Sequence, residues 1–237
     1  MKKILFILLA MCSVAGAFAQ PAGYVFTYQT GVPYQKLTAP TILTTTGWDD
    51  FNATIPLGFT FNFLGDTTSI MYFDSTEMNV GTDLQFHLIA TTSSPVNAFS
   101  MVYDLQDMNI TNSTKHSYVG YQNSGTAGNH ITKLQWDNVG IFDDTTHTDT
   151  LNAQLWLYQQ NNVVEYRIGA SSRKQLSEIM ADSNIYGFKG PVFGLLKNVD
   201  PSVPSLDWMY YPSSLVPATV DSANLLTFMS NSGTIGI

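Results

Sequence analysis

Cysteine is almost absent from this chain, which has one, Cys12, in 237 residues. Cys12 lies within the N-terminal segment MKKILFILLAMCSVAGAFAQ, so a chain that loses this segment has no cysteine at all. Disulfide bonds are then excluded, and the hydrophobic core alone has to stabilise the fold.

Charge is also scarce, and positive charge is scarcest. Charged residues make up 12% of the chain. The chain has 18 Asp and Glu but only 10 Lys and Arg, which gives a net charge of −8. Binding to nucleic acid requires a basic stripe that neutralises phosphates, so we expect no nucleic-acid partner. Anionic membrane surfaces are disfavoured for the same reason.

The N-terminus has the layout of a secretory signal. Lys2 and Lys3 precede an apolar run at residues 4–11, and Ala17 and Ala19 supply the small residues of a cleavage site. The apolar run is too short to cross a bilayer, which takes about 20 helical residues. We predict cleavage after Ala19, no integral membrane span in the mature chain, and an exported protein of the periplasm, the outer surface or the extracellular space.

A second processing route depends on Cys12. The run Leu9-Ala10-Met11-Cys12 faintly resembles a bacterial lipobox, in which the cysteine becomes the lipidated first residue. Met11 is large for its position in such a motif, so cleavage after Ala19 is the favoured route.

Alternation of apolar and polar residues dominates the rest of the chain. At residues 55–63 every second residue is apolar, which predicts a strand with one face in the core. Residues 151–158 and 163–169 alternate on either side of four polar residues, which predicts a β-hairpin. Residues 172–180 could form the only helix. Further strands are predicted at 24–29, 69–73, 84–89, 99–103, 117–121, 130–136, 192–196 and 224–229.

This pattern predicts an all-β fold. We expect a signal peptide at residues 1–19 and a single antiparallel β-sandwich or jelly-roll-like domain at residues 20–237, with at most one short helix. No repeat of fixed period and no low-complexity linker divides the chain.

Four segments also carry a resemblance to a known family: 24–29 with Tyr34 and Leu37, 55–63 with Gly65, 125–130 leading into 135–139, and 151–158 followed by 164–169. Together they resemble the secreted β-sandwich domain of exported Bacteroidota proteins, which usually lies upstream of a type IX secretion sorting domain. The resemblance implies the fold and assigns no catalytic residue. Residues 101–107 depart from the Trp-Asp-Asp-Leu-like stretch of that family, and the chain ends soon after its last expected strand, so we expect no type IX sorting domain unless the chain is a fragment.

The densest polar cluster contains Asp143, Asp144 and Asp149 around His147. Calcium takes six to eight oxygen ligands, and an EF-hand would add a glycine turn and a distal glutamate that this cluster lacks. A single histidine is too few for zinc. We therefore expect a solvated loop and no cofactor, with calcium binding as the alternative.

Catalytic groups are sparse. Glycoside hydrolysis needs two facing acids, and the mature chain has only three glutamates, Glu77, Glu165 and Glu178. Glu165 is expected to pair with the neighbouring Arg167, and no Gly-x-Ser-x-Gly nucleophile elbow is present. We predict that the chain is not an enzyme.

Tryptophans are the remaining candidates for ligand contact. Trp136 and Trp156 lie in alternating strands and are expected in the core, whereas Trp48 with Asp49 and Trp208 with Asp207 lie in loop-like contexts. Burial remains the favoured expectation even for these two. The predicted function is a non-catalytic envelope or extracellular protein of adhesion, assembly or display, with other envelope proteins or glycans as partners. The alternative is a carbohydrate-binding or carbohydrate-active module that uses loop aromatics and acids.

Overall fold

The computed structural model describes residues 24–49, 51–63, 66–73, 96–102, 105–108, 116–141, 150–169, 192–199, 208–211 and 224–230. The predicted signal peptide, the predicted strand at 84–89 and the predicted helix at 172–180 lie outside these residues. Within them, no helix is long and apolar enough to cross a membrane.

The described residues form thirteen β-strands. In chain order they are β1 (Tyr24–Thr30), β2 (Thr41–Ile42), β3 (Ala53–Phe63), β4 (Asp66–Phe73), β5 (Val96–Val102), β6 (Leu105–Gln106), β7 (Tyr118–Ser124), β8 (Ile131–Ile141), β9 (Thr150–Tyr158), β10 (Val164–Ile168), β11 (Val192–Val199), β12 (Trp208–Tyr211) and β13 (Asn224–Ser230).

Eight of these strands form one antiparallel sheet. Its order is β1-β13-β10-β9-β8-β7-β2, and β6 pairs with β8 beyond the end of β7. Strands β7, β8, β9 and β10 are paired in chain order as an antiparallel meander. The predicted hairpin at 151–169 is confirmed, with Leu157 of β9 opposite Val164 of β10.

Two smaller sheets complete the described architecture. Strands β3 and β4 form an antiparallel hairpin, and β12-β11-β5 form a three-stranded antiparallel sheet. The prediction of an all-β, sandwich-like fold is confirmed.

The core lies between the β3–β4 hairpin and one face of the large sheet. Every second side chain of β3 is buried, from Ile55 at 0% exposed to Phe63 at 1%, as its alternation predicts. Each fully buried side chain of this size contributes about 1.5–3 kcal/mol to folding. The large sheet supplies Leu134, Trp136, Leu155 and other residues to the same cluster.

The middle of β3 leaves its partner strand and is held by the large sheet instead. Gly58 has a φ of 77°, a backbone conformation that glycine adopts without strain. Beside it, Asn123 Nδ2 donates to the Pro56 carbonyl at 2.9 Å and Thr132 Oγ1 donates to the Leu57 carbonyl at 3.0 Å. These side chains satisfy carbonyl groups of β3 and join the two layers.

Candidate functional site

The large sheet has a second face, opposite the core, which we call the outer face. Because side chains alternate along a strand, Gln135 and Gln154 point away from the core when Leu134 and Leu155 point into it. Unlike the solvated outer face of many antiparallel sheets, this one buries glutamines, with Gln135 at 0% and Gln154 at 1% exposed.

Residues 31–40, which we call the strap, connect β1 to β2 and bind to this outer face. The Leu37 N–H donates to Gln135 Oε1 at 2.7 Å, and Gln154 Nε2 donates to the Gln35 carbonyl at 2.8 Å. Glutamine side chains of the sheet thus satisfy backbone groups of a segment that has no strand partner there, as buried polar groups require.

A chain of side-chain hydrogen bonds continues from the strap across three strands. Gln135 Nε2 donates to Tyr118 Oη at 2.7 Å, and Gln154 Nε2 donates to Gln135 Oε1 at 2.7 Å. Trp156 Nε1 then donates to Gln154 Oε1 at 3.0 Å. The network fixes both amide orientations and sets the orientation of the Trp156 indole.

Tyr34 anchors the strap beside Gly169, where a Cβ would lie only 2.8 Å from the tyrosine ring. Burial raises the pKa of the Tyr34 hydroxyl, and the negative charge of Asp137 raises it further. Asp137 in turn forms a salt bridge with Lys36 of the strap.

The half-buried Trp156 ring lies against two cations on the outer face. Lys133 of β8 is directly opposite Trp156, and its Nζ lies 4.1 Å from the ring centroid. Arg167 of β10 is the diagonal neighbour, with its Cζ 3.8 Å from the same centroid. Both distances are within the range of cation–π attraction, and the cations cover part of the indole.

Glu165 neutralises one of these cations. Its Oε2 accepts hydrogen bonds from Arg167 Nε at 3.1 Å, Arg167 Nη2 at 2.8 Å and Tyr158 Oη at 2.7 Å. Burial, and then the hydrogen bond and charge of Glu165, raise the pKa of Tyr158. The expected Glu165–Arg167 pair is therefore confirmed. We call Lys133, Trp156, Tyr158, Glu165 and Arg167 the Trp156 cluster.

Among the residues that the structure describes, Lys133 differs from Arg167 in having no carboxylate partner. The ion pairs within the described residues are Lys36–Asp137 and Arg167–Glu165. Desolvation lowers the pKa of Lys133, and the positive charge of Arg167 lowers it further. The ammonium group therefore lies in surroundings that disfavour its own charge.

A second polar centre, around Asp107, is buried within the fold at 1% exposure. Its Oδ2 accepts the Gly47 N–H at 2.7 Å and its Oδ1 accepts the Ser117 N–H at 3.0 Å. Ser117 Oγ accepts the Met108 N–H at 2.9 Å and donates to the Asn138 carbonyl at 2.7 Å. This centre joins the loop before β3 to β6 and β7.

The structure buries one of the residues considered for ligand contact. Trp48 is 4% exposed, its Nε1 donates to the Ser117 carbonyl at 3.4 Å, and its ring packs edge-on against Phe51. Trp48 is therefore part of the core, and only the neighbouring Asp49 is exposed.

Other candidates differ from expectation or lie outside the described residues. Trp208 opens strand β12 and is not in a loop, because residues 208–211 pair with β11. Asp207 and the calcium candidates Asp143, Asp144 and Asp149 lie outside the described residues. Within those residues, no group of three His, Cys, Asp or Glu side chains could hold a metal ion.

Trp156 is the residue that sequence reasoning misplaced. Trp136 is in the core as expected, at 1% exposed, but Trp156 lies half-buried on the outer face. The alternation along β9 already indicated this position. Leu151, Leu155 and Leu157 have odd numbers and point into the core, so the even-numbered residues, Trp156 among them, point to the other face.

Together, the sheets and their contacts define an antiparallel β-sandwich domain. The family model described as NIDO related matches residues 23–203, which is more than half of the chain, and the chain belongs to the NIDO-related family. This membership indicates an extracellular-type β domain. The comparison with curated proteins and the comparison with solved structures each found no match. The match supports the predicted resemblance at the level of the domain, while the Bacteroidota and type IX context stays a prediction.

Proposed function

We propose that the chain is a non-catalytic envelope or extracellular β-sandwich protein of adhesion, assembly or display. It is exported by its signal peptide and acts in the periplasm, at the outer surface or outside the cell. Its partners are other envelope proteins or glycans and not nucleic acid, and it uses no cofactor. Membership of the NIDO-related family supports the extracellular setting.

One observation supports the non-catalytic part of the proposal: three half-buried or buried acids in or beside the large sheet have structural partners. Asp107 accepts two backbone N–H groups, Asp137 pairs with Lys36, and Glu165 binds Arg167 and Tyr158. A glycosidase instead directs two carboxyl groups at the substrate, about 5–9.5 Å apart across the scissile bond.

Two assays on the full mature chain test this proposal. Chemical cross-linking in the native envelope should capture the chain with a discrete protein or glycan partner. Incubation with neutral and acidic polysaccharides should release no new reducing ends. Hydrolysis that disappears in Glu165→Gln but persists in Asp49→Asn would overturn the proposal, because the first variant removes a sheet acid and the second only an exposed loop acid.

Carbohydrate recognition is the second candidate function, and the Trp156 cluster favours it. The aromatic and acidic groups of this cluster come from strands β9 and β10 rather than from loops. A glycan array probed with the mature chain tests the candidate directly: retention of one glycan class supports it, and uniform background contradicts it.

A further inference from the structure

We propose that the Trp156 cluster binds a single anionic group, a carboxylate or a sulfate, carried by a saccharide. This inference rests on the second candidate function, carbohydrate recognition, and names the site and the ligand class. Lys133 supplies the charge, and the other members of the cluster supply a fixed polar surface around it.

The charge balance of the cluster leaves one positive charge uncompensated. Glu165 compensates Arg167 in a salt bridge of 2.8 Å, whereas Lys133 has the Trp156 ring as its neighbour at 4.1 Å. The ring attracts the ammonium group without cancelling its charge. An incoming anion would gain a charge-assisted hydrogen bond and would relieve the repulsion between Lys133 and Arg167.

The cluster is also rigid before any ligand arrives. The hydrogen bond from Trp156 to Gln154, and from Gln154 to the strap, fixes the ring. The three bonds to Glu165 Oε2 fix Arg167 and Tyr158. A site that is ordered in advance loses little side-chain entropy on binding.

The position of the cluster favours a saccharide over an acidic peptide. Lys133, Trp156 and Glu165 are cross-strand neighbours on β8, β9 and β10, and each of these strands is paired on both sides. A peptide could not add there as a further strand, which is the usual way that a sheet binds an extended chain. The remaining Glu165 oxygen and the Tyr158 hydroxyl oxygen are hydrogen-bond acceptors suited to sugar hydroxyls.

The net charge of the chain limits the ligand to few negative charges. The chain has a net charge of −8 and repels polyanions at long range, so a sugar with a single anionic group meets less repulsion than a densely sulfated polymer or a polyacidic peptide. The ligand class is thus a monoanionic sugar, such as a uronic acid or a monosulfated hexose.

The test is equilibrium binding of the full mature chain to five probes: glucuronate, glucose 6-sulfate, glucose, acetate and a polyglutamate peptide. We expect the two anionic sugars to bind, with glucose and acetate at least about tenfold weaker, since an ionic hydrogen bond is lost in the first and all sugar contacts in the second. Equal binding of acetate, or preference for a polyglutamate peptide, would overturn the saccharide assignment.

The matched variants are Lys133→Gln and Lys36→Gln, which remove the same charge from the sheet and from the strap that covers its outer face. We expect Lys133→Gln to weaken binding of both anionic sugars about tenfold and Lys36→Gln to leave it within about twofold. Circular dichroism of each variant checks the fold. Glycan binding that is insensitive to Lys133→Gln would refute this site and leave carbohydrate recognition standing, whereas no binding to any glycan would refute both.

Discussion

Asp107 is a single buried carboxylate that organises two separate segments of backbone. One oxygen accepts the Gly47 N–H before β3, and the other accepts the Ser117 N–H before β7. A buried N–H that loses its acceptor costs about 1–3 kcal/mol, so the carboxylate matters more for the groups it satisfies than for its charge.

The variant Asp107→Asn should therefore unfold more easily. Asparagine replaces one acceptor oxygen by an NH₂ donor, which leaves one backbone N–H without its partner and lowers the free energy of unfolding by about 1–3 kcal/mol. Urea unfolding measures the loss. The control is Asp49→Asn, an exposed acid in the loop before β3, which should change stability by less than about 0.5 kcal/mol. Equal losses in both variants would contradict the structural role of Asp107.

Two glycines of the β7–β8 turn both have a positive φ, but only one of them lacks room for a Cβ, so their alanine variants distinguish backbone strain from steric clash. Gly125 and Gly128 have φ values of 91° and 85°, but a Cβ on Gly125 would lie 2.2 Å from the Asn129 carbonyl oxygen, while one on Gly128 has nothing within 4 Å. We expect Gly128→Ala to cost about 1–2 kcal/mol through strain alone and Gly125→Ala to cost at least about 1 kcal/mol more. Thermal unfolding of the two variants measures the difference, and a smaller effect at Gly125 would refute the clash.

At the scale of elements, the strap shows how a segment without a regular strand partner becomes part of the fold. Its backbone groups bond to the glutamines of β7, β8 and β9, among them Gln122, which donates to the Thr38 carbonyl at 3.1 Å. Side chains here replace the ladder that a neighbouring strand would supply, which accounts for the burial of polar residues on the outer face.

Removing one glutamine should release one strap amide. In Gln135→Leu the Leu37 N–H loses its acceptor, so its hydrogen exchange should accelerate at least about tenfold, the factor that corresponds to about 1.4 kcal/mol of lost protection. In the control Gln122→Leu, only a carbonyl group of the strap loses its partner, and the exchange of Leu37 should stay within about threefold of the parent. Exchange of Leu37 at the parent rate in Gln135→Leu would contradict the proposed role of Gln135.

The elements that sequence alone predicted are those with a repeating hydrophobic pattern. The alternation in β3 and the two runs of the β9–β10 hairpin are driven by burial of one face, so period and structure agree. Strands β2 and β6 have two residues each and are too short to show a period. The strap and the Trp156 cluster depend on polar contacts between residues distant in sequence, such as the 119 positions between Gln35 and Gln154, which no local pattern encodes.

At the scale of the whole molecule, buried phenols link stability to alkaline pH. Burial is the first cause that raises the pKa values of Tyr24, Tyr34, Tyr118 and Tyr158 above their ordinary value near 10.0. Above that pH the unfolded chain loses these protons while the folded chain keeps them, so the stabilisation present below pH 10 is lost as pH rises through the raised values. Lys133, with its lowered pKa, acts in the opposite direction below its ordinary value of 10.5, but it is one group against four tyrosines.

We therefore expect the free energy of unfolding to fall steeply between about pH 9.5 and about pH 11.5, as measured by urea titration at each pH. The variant Tyr158→Phe removes one of the four tyrosines with a raised pKa and should show a shallower fall. A free energy of unfolding that stays level over this range, or the same slope in the variant, would contradict the assignment.

Under the proposal that the chain is exported, the pairing of β1 with β13 has a consequence for how it folds. These strands are hydrogen-bonded along their full length, from Tyr24 opposite Ser230 to Thr30 opposite Asn224, although one stands near each end of the sequence. A chain that emerges from a translocation pore with its N-terminus leading presents β1 first and its partner last. Strand β1 then stays unpaired until β13 has emerged. Because this pairing closes a long loop, we expect it to be the slow step of folding. Any factor that shields an aromatic, uncharged strand during that interval would act on β1.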